Sequence, residues 1–106
     1  MIKALSKMTM TLLMSTAFIT SSLHADVEKG QKIYSKQLKP KCHGMTGSDF
    51  AAKHSQDEWE EIYDAGKLGE EIKKICGGHT VNEKLLPHIY DFAYEYANDS
   101  GNVPNC

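Results

Sequence analysis

The sequence contains no arginine, although twelve of its 106 residues are lysine and fourteen are acidic, and its formal net charge is −2. Surfaces that bind nucleic acid need dense positive charge, and they commonly use arginine to contact phosphates and guanine. The composition therefore argues against nucleic acid as a partner.

The sequence also lacks the common catalytic motifs. It has no glycine-rich phosphate loop, no serine nucleophile elbow, no metalloprotease helix and no C-x-x-C pair. Cys42 and His43 are adjacent and could in principle form a nucleophile pair, but no third group is available to orient the histidine. We therefore predict that the protein is not an enzyme.

No apolar run is long enough to span a bilayer as a helix. The longest, residues 12–20, is short, follows a lysine-containing start and precedes the small residue Ala25. This pattern predicts a secretory signal peptide over residues 1–25, export to the periplasm, and a single mature domain over residues 26–106 that is not in the membrane. The alternative is that the segment is retained as a membrane anchor.

The charge of the predicted mature domain is unevenly distributed. All fourteen acids but only ten of the twelve lysines lie in residues 26–106, so its formal net charge is −4. Five lysines crowd residues 29–41, and seven acids lie in residues 57–71. The simpler interpretation is solvated helix faces, and the alternative is a dipole that orients the protein on a partner.

Residues 39–44, Lys-Pro-Lys-Cys-His-Gly, match the haem-attachment pattern C-x-x-C-H with Lys39 in place of the first cysteine. The pattern predicts haem c bound through a single thioether to Cys42, with His43 as the proximal iron ligand. Met45 is too close to His43 along the chain to bind the opposite face of the same iron. His79, which follows two glycines, is a weak candidate for the distal ligand, and a surface loop position is its simpler interpretation.

The odd number of cysteines allows more than one arrangement. Chains this small usually need a disulfide, a metal or a cofactor for stability, and cysteines of exported proteins tend to pair. If Cys42 holds haem, Cys76 and Cys106 are free to form a disulfide. Without haem, one disulfide forms and one thiol is left over, and an intermolecular disulfide would also balance the count.

The hydrophobic periodicity predicts helices joined by short loops and no strand. We expect a first helix over residues 26–38 that Pro40 ends, and a capping box at Ser55 to Glu58 that starts a later helix. A last helix should begin near Pro87 and run to about Asn98. Trp59 and the tyrosines are expected to belong to the core, and the acids around Trp59 to form a solvated face.

The order of these features resembles class I c-type cytochromes. The likeness rests on a first helix with Gly30 and Tyr34, then Cys42-His43-Gly44, then middle helices and an aromatic-rich last helix. It implies a small all-α domain in which the first and last helices are in contact, with Gly30 meeting the tyrosines of residues 90–96.

Two functions follow. The first is an exported mono-haem electron carrier, expected to be a monomer, that exchanges electrons with redox partner proteins. The second is a haem-free fold of the same kind, in which Cys42 or Cys106 pairs with Cys76 and the domain acts as a periplasmic binding or accessory module.

Overall fold

The computed structural model describes the backbone of residues 20–106 and the side chains from residue 27 onward. Five α-helices follow one another in this part of the chain, and no strand occurs in it: α1 (Thr20–Ile33), α2 (Gly47–Ala51), α3 (Gln56–Asp64), α4 (Leu68–Ile75) and α5 (Leu86–Glu95). The predicted all-helical fold is confirmed for these residues. Most of the predicted signal peptide, residues 1–19, lies outside them.

The first helix extends further than the sequence predicted. A π-helical turn (Tyr34–Leu38) and a 3-10 turn (Lys39–Lys41) continue α1, so the helical run ends at Lys41 rather than at Leu38. Lys39 keeps helical torsion angles, φ −52° and ψ −47°, although it precedes proline. Pro40 lies at the start of the new 3-10 turn, where a backbone N–H has no helical partner to lose. The prediction that Pro40 ends the helix at Leu38 was therefore wrong.

The capping box at the start of α3 is confirmed. The Ser55 hydroxyl accepts a hydrogen bond from the Glu58 backbone N–H at 3.2 Å, and the Glu58 carboxylate accepts one from the Ser55 N–H at 3.0 Å. These contacts satisfy two amides of the first turn. The Ser55 N–H, followed by the nearby His54 side chain, lowers the pKa of Glu58.

His54 connects the start of α3 to α4. Its Nδ1 lies 3.2 Å from Glu58 Oε1, and its Nε2 lies 2.7 Å from Glu71 Oε2. The ring also meets Trp59 edge-on, with 4.7 Å between ring centroids. His54 therefore has polar contacts on both ring nitrogens within the fold.

The first and last helices pack closely, as predicted, and Gly30 makes this contact possible. A Cβ atom on Gly30 would overlap the carbonyl oxygen of His88 and would lie 2.8 Å from the Cβ of Phe92. Gly30 therefore faces the backbone of α5 and Phe92. The expectation that it meets the tyrosines of the last helix was wrong.

The core beneath these helices is aromatic. Tyr34, Phe50, Trp59 and Phe92 are fully buried, and the Tyr34 ring lies 4.8 Å from that of Phe50 and 5.8 Å from that of Phe92, between centroids. Trp59 Nε1 donates a hydrogen bond to the carbonyl of Ala51 at 2.8 Å. The prediction that Trp59 belongs to the core is confirmed.

Candidate functional site

The disulfide of this protein joins Cys42 to Cys76, and their Cα atoms are 4.1 Å apart. Both cysteines are buried, and Cys106 has a free thiol. The predicted pairing of Cys76 with Cys106 was therefore wrong. Cys106 instead lies against the start of α2, where its carbonyl oxygen accepts a hydrogen bond from the Gly47 N–H at 2.9 Å.

The disulfide links the C-terminal ends of two helical runs. Cys42 is the residue that caps the run from α1, and Cys76 caps α4. At the first end the Gly44 N–H donates to the Lys39 carbonyl at 3.1 Å, and at the second the Gly78 N–H donates to the Lys73 carbonyl at 2.7 Å. Both bonds are the six-to-one bond of a Schellman motif.

The residue after each cysteine has a left-handed backbone. Its φ is +62° at His43 and +68° at Gly77. Glycine adopts this conformation readily, whereas residues with a Cβ adopt it at a cost. The two ends therefore share a geometry and differ in the residue that holds it.

The His43 side chain is exposed, and its ring lies over the second helix end. A Cβ atom on Gly77 would lie 3.1 Å from His43 Nε2 and 3.2 Å from His43 Cε1. The predicted distal ligand His79 is half-buried and follows Gly78 in the loop before the 3-10 turn Glu83–Leu85. Among the described residues, no group of three or more histidine, cysteine or acidic side chains is arranged to hold a metal ion.

The residues at this position do not fit a covalently bound haem. A thioether would need the sulfur of Cys42, and that sulfur is bonded to the sulfur of Cys76. The space around Cys42 is filled, because this cysteine belongs to one contiguous core cluster with Tyr34, Leu38 and Phe50. Haem attachment would require both the disulfide to open and these side chains to move.

Tyr34 anchors the segment that follows Cys42. Its hydroxyl donates a hydrogen bond to the carbonyl of Met45 at 2.7 Å, and its ring is fully buried. Burial, followed by the charges of Cys106 and Asp49, raises the pKa of Tyr34. This end of the disulfide therefore depends on a protonated tyrosine.

A second surface lies across α3 and α5. The rings of Tyr63 and Tyr90 stack at 4.3 Å between centroids with 8° between their planes, and Tyr94 lies 5.7 Å from Tyr90. All three tyrosines are half-buried. The core prediction is thus right for Tyr34 but incomplete for these three, whose outer parts remain at the surface.

Carboxylates border this tyrosine stack. Burial first, and then the charges of Glu60 and Asp64 among others, raise the pKa of Tyr90 to about 12. We call Glu60, Tyr63, Asp64, Tyr90 and Tyr94 the tyrosine–acid face. The acids and the tyrosines stand out separately in the sequence, but the pairing of α3 with α5 that joins them is a tertiary contact.

No family model, curated protein or solved structure matches this chain. Within residues 20–106, none of the helices combines the length and apolar character that crossing a membrane requires.

Proposed function

We propose that this protein is an exported, haem-free binding or accessory module, built on a cytochrome-like helical fold that a disulfide stabilises. The observation that carries the proposal is the bond between Cys42 and Cys76. It uses the one cysteine that stands next to a histidine in the haem-like motif. The signal-peptide pattern of residues 1–25 supports export, to a compartment where disulfides persist.

The packing of the core also supports a haem-free protein. Tyr34, Phe50, Trp59 and Ile72 have no exposed surface, and they belong to the same cluster as Cys42. Side chains therefore occupy the interior that a planar cofactor would need. The disulfide crosslinks residues 34 positions apart, which supplies the stability that a core of this size needs.

The electron-carrier hypothesis requires a different covalent bond at the sulfur of Cys42. It needs Cys42 as a thioether, and Cys76 is then free to pair with Cys106. Each hypothesis therefore predicts a different covalent form of the mature protein, and mass spectrometry distinguishes them.

The test is an intact mass of the protein exported from a host that has c-type haem machinery, measured without reduction. We expect the mass of residues 26–106 less two hydrogens, and peptide mapping should join Cys42 to Cys76. The purified protein should show no haem absorption band. A mass increase of one haem that Cys42→Ala abolishes would overturn the proposal.

A matched control is Cys106→Ala. Because Cys106 has a free thiol, this variant should retain the two-hydrogen mass difference, and Cys76→Ala should lose it. Retention of residues 1–25 in the mature mass would overturn cleavage of the signal peptide alone and would favour the retained membrane anchor.

A further inference from the structure

Glu58 completes the capping box of α3 and Asp57 lies in its first turn, but the fold gives no structural role to the later acids Glu60, Glu61 and Asp64. Asp57, Glu60, Glu61 and Asp64 are exposed and lie at positions i, i+3, i+4 and i+7, so they share one side of the helix. None of them forms an ion pair in the described part of the chain. Like charges at this spacing repel each other, and the sequence of α3, Gln56–Asp64, contains no lysine to offset them.

The helix dipole increases this cost at one end. Acids stabilise the first turn of a helix and destabilise the last turn, because the C-terminal carbonyls carry partial negative charge. Asp64 is the last residue of α3, and Glu61 lies one turn before the end. These two carboxylates are therefore unfavourable for the isolated helix, and a role outside folding would account for them.

The tyrosine stack makes the neighbouring surface favourable for cationic side chains. Tyr63 and Tyr90 stack in parallel, and Tyr94 continues the row along α5. Stacking turns one face of Tyr63 and one face of Tyr90 toward each other, so only their outer faces and the ring of Tyr94 can attract ammonium and guanidinium groups. The exposed carboxylates of Glu60 and Asp64 attract the same groups. The surface therefore combines an apolar platform with negative charge at its border.

We propose that the tyrosine–acid face binds a lysine- or arginine-rich segment of a partner protein. The aliphatic stems of such side chains would lie on the rings of Tyr63 and Tyr90, and their charged ends would meet Glu60 and Asp64. This inference rests on the proposed function, because it names the class of partner that the binding module recognises.

A second copy of this chain is the less favoured occupant. Its own exposed lysines, Lys29, Lys32 and Lys36, lie on the first helical run, a different surface from the tyrosine–acid face. A contact between two different surfaces of identical chains repeats from copy to copy and forms an open assembly unless its rotation closes a ring. A separate cationic partner has no such requirement.

The test uses the oxidised mature protein and a fluorescently labelled octalysine peptide, with binding followed by anisotropy at low and moderate salt. We expect saturable binding that weakens as salt rises, because the charges are exposed. The double variant Glu60→Gln/Asp64→Asn should weaken binding about tenfold, which corresponds to about 1.4 kcal/mol. An octaglutamate peptide should not bind.

The matched control is Glu28→Gln/Glu83→Gln, which removes the same charge from exposed positions outside the face. At moderate salt it should change the affinity by less than about twofold, because neither carboxylate belongs to the tyrosine–acid face and exposed charges that do not contact the peptide are largely screened. Equal weakening by both double variants would mean that only net charge matters, and would overturn the proposal. Absence of wild-type binding would also overturn it.

The aromatic contribution is tested separately with Tyr94→Leu, which keeps an apolar side chain but removes the ring. We expect about a threefold loss of affinity with an unchanged circular dichroism spectrum, in line with an exposed cation–π contact. Unchanged affinity would overturn the role of the aromatic stack.

Sedimentation velocity of the unlabelled protein tests the alternative occupant. Self-association that Glu60→Gln/Asp64→Asn abolishes would assign the face to a second copy and overturn the partner assignment. A protein that carries the disulfide and no haem but does not bind octalysine would refute this inference while leaving the proposed function intact.

Discussion

The two helix ends that the disulfide joins have the same backbone conformation, but a different residue follows the cysteine at each end. Cys42 is followed by His43, and Cys76 is followed by Gly77, both with φ between +60° and +70°. Glycine holds this conformation without a Cβ penalty, whereas histidine holds it at a cost. The two positions are not interchangeable, because a Cβ on Gly77 would lie only 3.1 Å from His43 Nε2 and the ring would have to shift.

The largest effect should come from removing the bond that holds the two ends together. The double variant Cys42→Ala/Cys76→Ala should lower the free energy of unfolding by about 3–4 kcal/mol, because the bond closes a loop with a sequence separation of 34. Urea denaturation followed by circular dichroism measures this change.

Cys106→Ala is the control for that variant. It removes a half-buried free thiol and should cost less than about 1 kcal/mol, in the range of a small loss of packing. If Cys106→Ala were as damaging as the double variant, Cys106 would take part in the disulfide and the comparison of the two ends would fail.

The second largest effect should come from giving the Gly77 end a side chain. Gly77→Ala should lower the free energy of unfolding by about 1–2 kcal/mol, because alanine is strained at positive φ and its Cβ would crowd the His43 ring. Thermal and urea denaturation of the oxidised protein measure the change.

Gly69→Ala provides a control within α4, the helix that ends just before Gly77. Gly69 lies inside α4, and the nearest atom to an added Cβ is Leu86 Cδ1 at 3.8 Å, so alanine should stabilise the protein by up to about 1 kcal/mol. The double variant His43→Ala/Gly77→Ala should be less damaging than the sum of its parts if the ring causes the crowding. Strict additivity would show that backbone strain alone accounts for the cost.

The two helix ends also differ in how their contribution to stability depends on pH. Tyr34 holds the segment after His43 through its bond to the Met45 carbonyl, and burial raises its pKa in the folded state. The unfolded pKa of tyrosine is about 10. The stability that the protonated hydroxyl supplies is therefore fully present below about pH 10, and it is lost as the pH rises from there toward the folded pKa.

Tyr34→Phe tests this dependence. We expect it to cost about 1 kcal/mol at pH 8, through the lost hydrogen bond, and to reduce the further loss of stability between pH 8 and pH 11. Both proteins should carry Cys106→Ala, so that no thiolate attacks the disulfide at high pH. An unchanged pH slope would assign the alkaline loss to other groups such as Tyr90, whose pKa burial raises to about 12.

Local patterns predicted the helices well, and the disulfide poorly, for a physical reason. The capping box at Ser55 depends on neighbours within one turn, so a single sequence reveals it. The partner of Cys76 depends on which distant loop the fold brings near it, and neither cysteine parity nor a cofactor motif specifies that distance. Pro40 does not end the helical run, because a 3-10 turn can begin where an α-helix would end.

The contact of Gly30 and the tyrosine–acid face could not be predicted in detail either, because both depend on how distant helices pack. The contact of Gly30 with the last helix was predictable in kind, since a glycine in a helix allows close approach, but its partner at His88 depends on the exact crossing of α1 and α5. The tyrosine–acid face depends likewise on how α3 lies against α5.

The smallest effect should come from relieving the strain at the other helix end. His43→Gly should raise the free energy of unfolding by about 0.5–1 kcal/mol, because the relief of a left-handed φ of +62° exceeds the entropy that glycine gains in the unfolded chain. Urea denaturation of the oxidised variant and wild type side by side measures the difference.

His43→Ala is the matched variant, because it keeps the strained backbone and removes the ring. It should be no more stable than the wild type, since alanine has the same Cβ penalty and loses the contact with Gly77. If His43→Gly were instead less stable than the wild type, the ring contact would be worth more than the strain. The histidine would then be a structural part of the joint between the two helix ends, and its left-handed backbone would be the cost of placing the ring over Gly77.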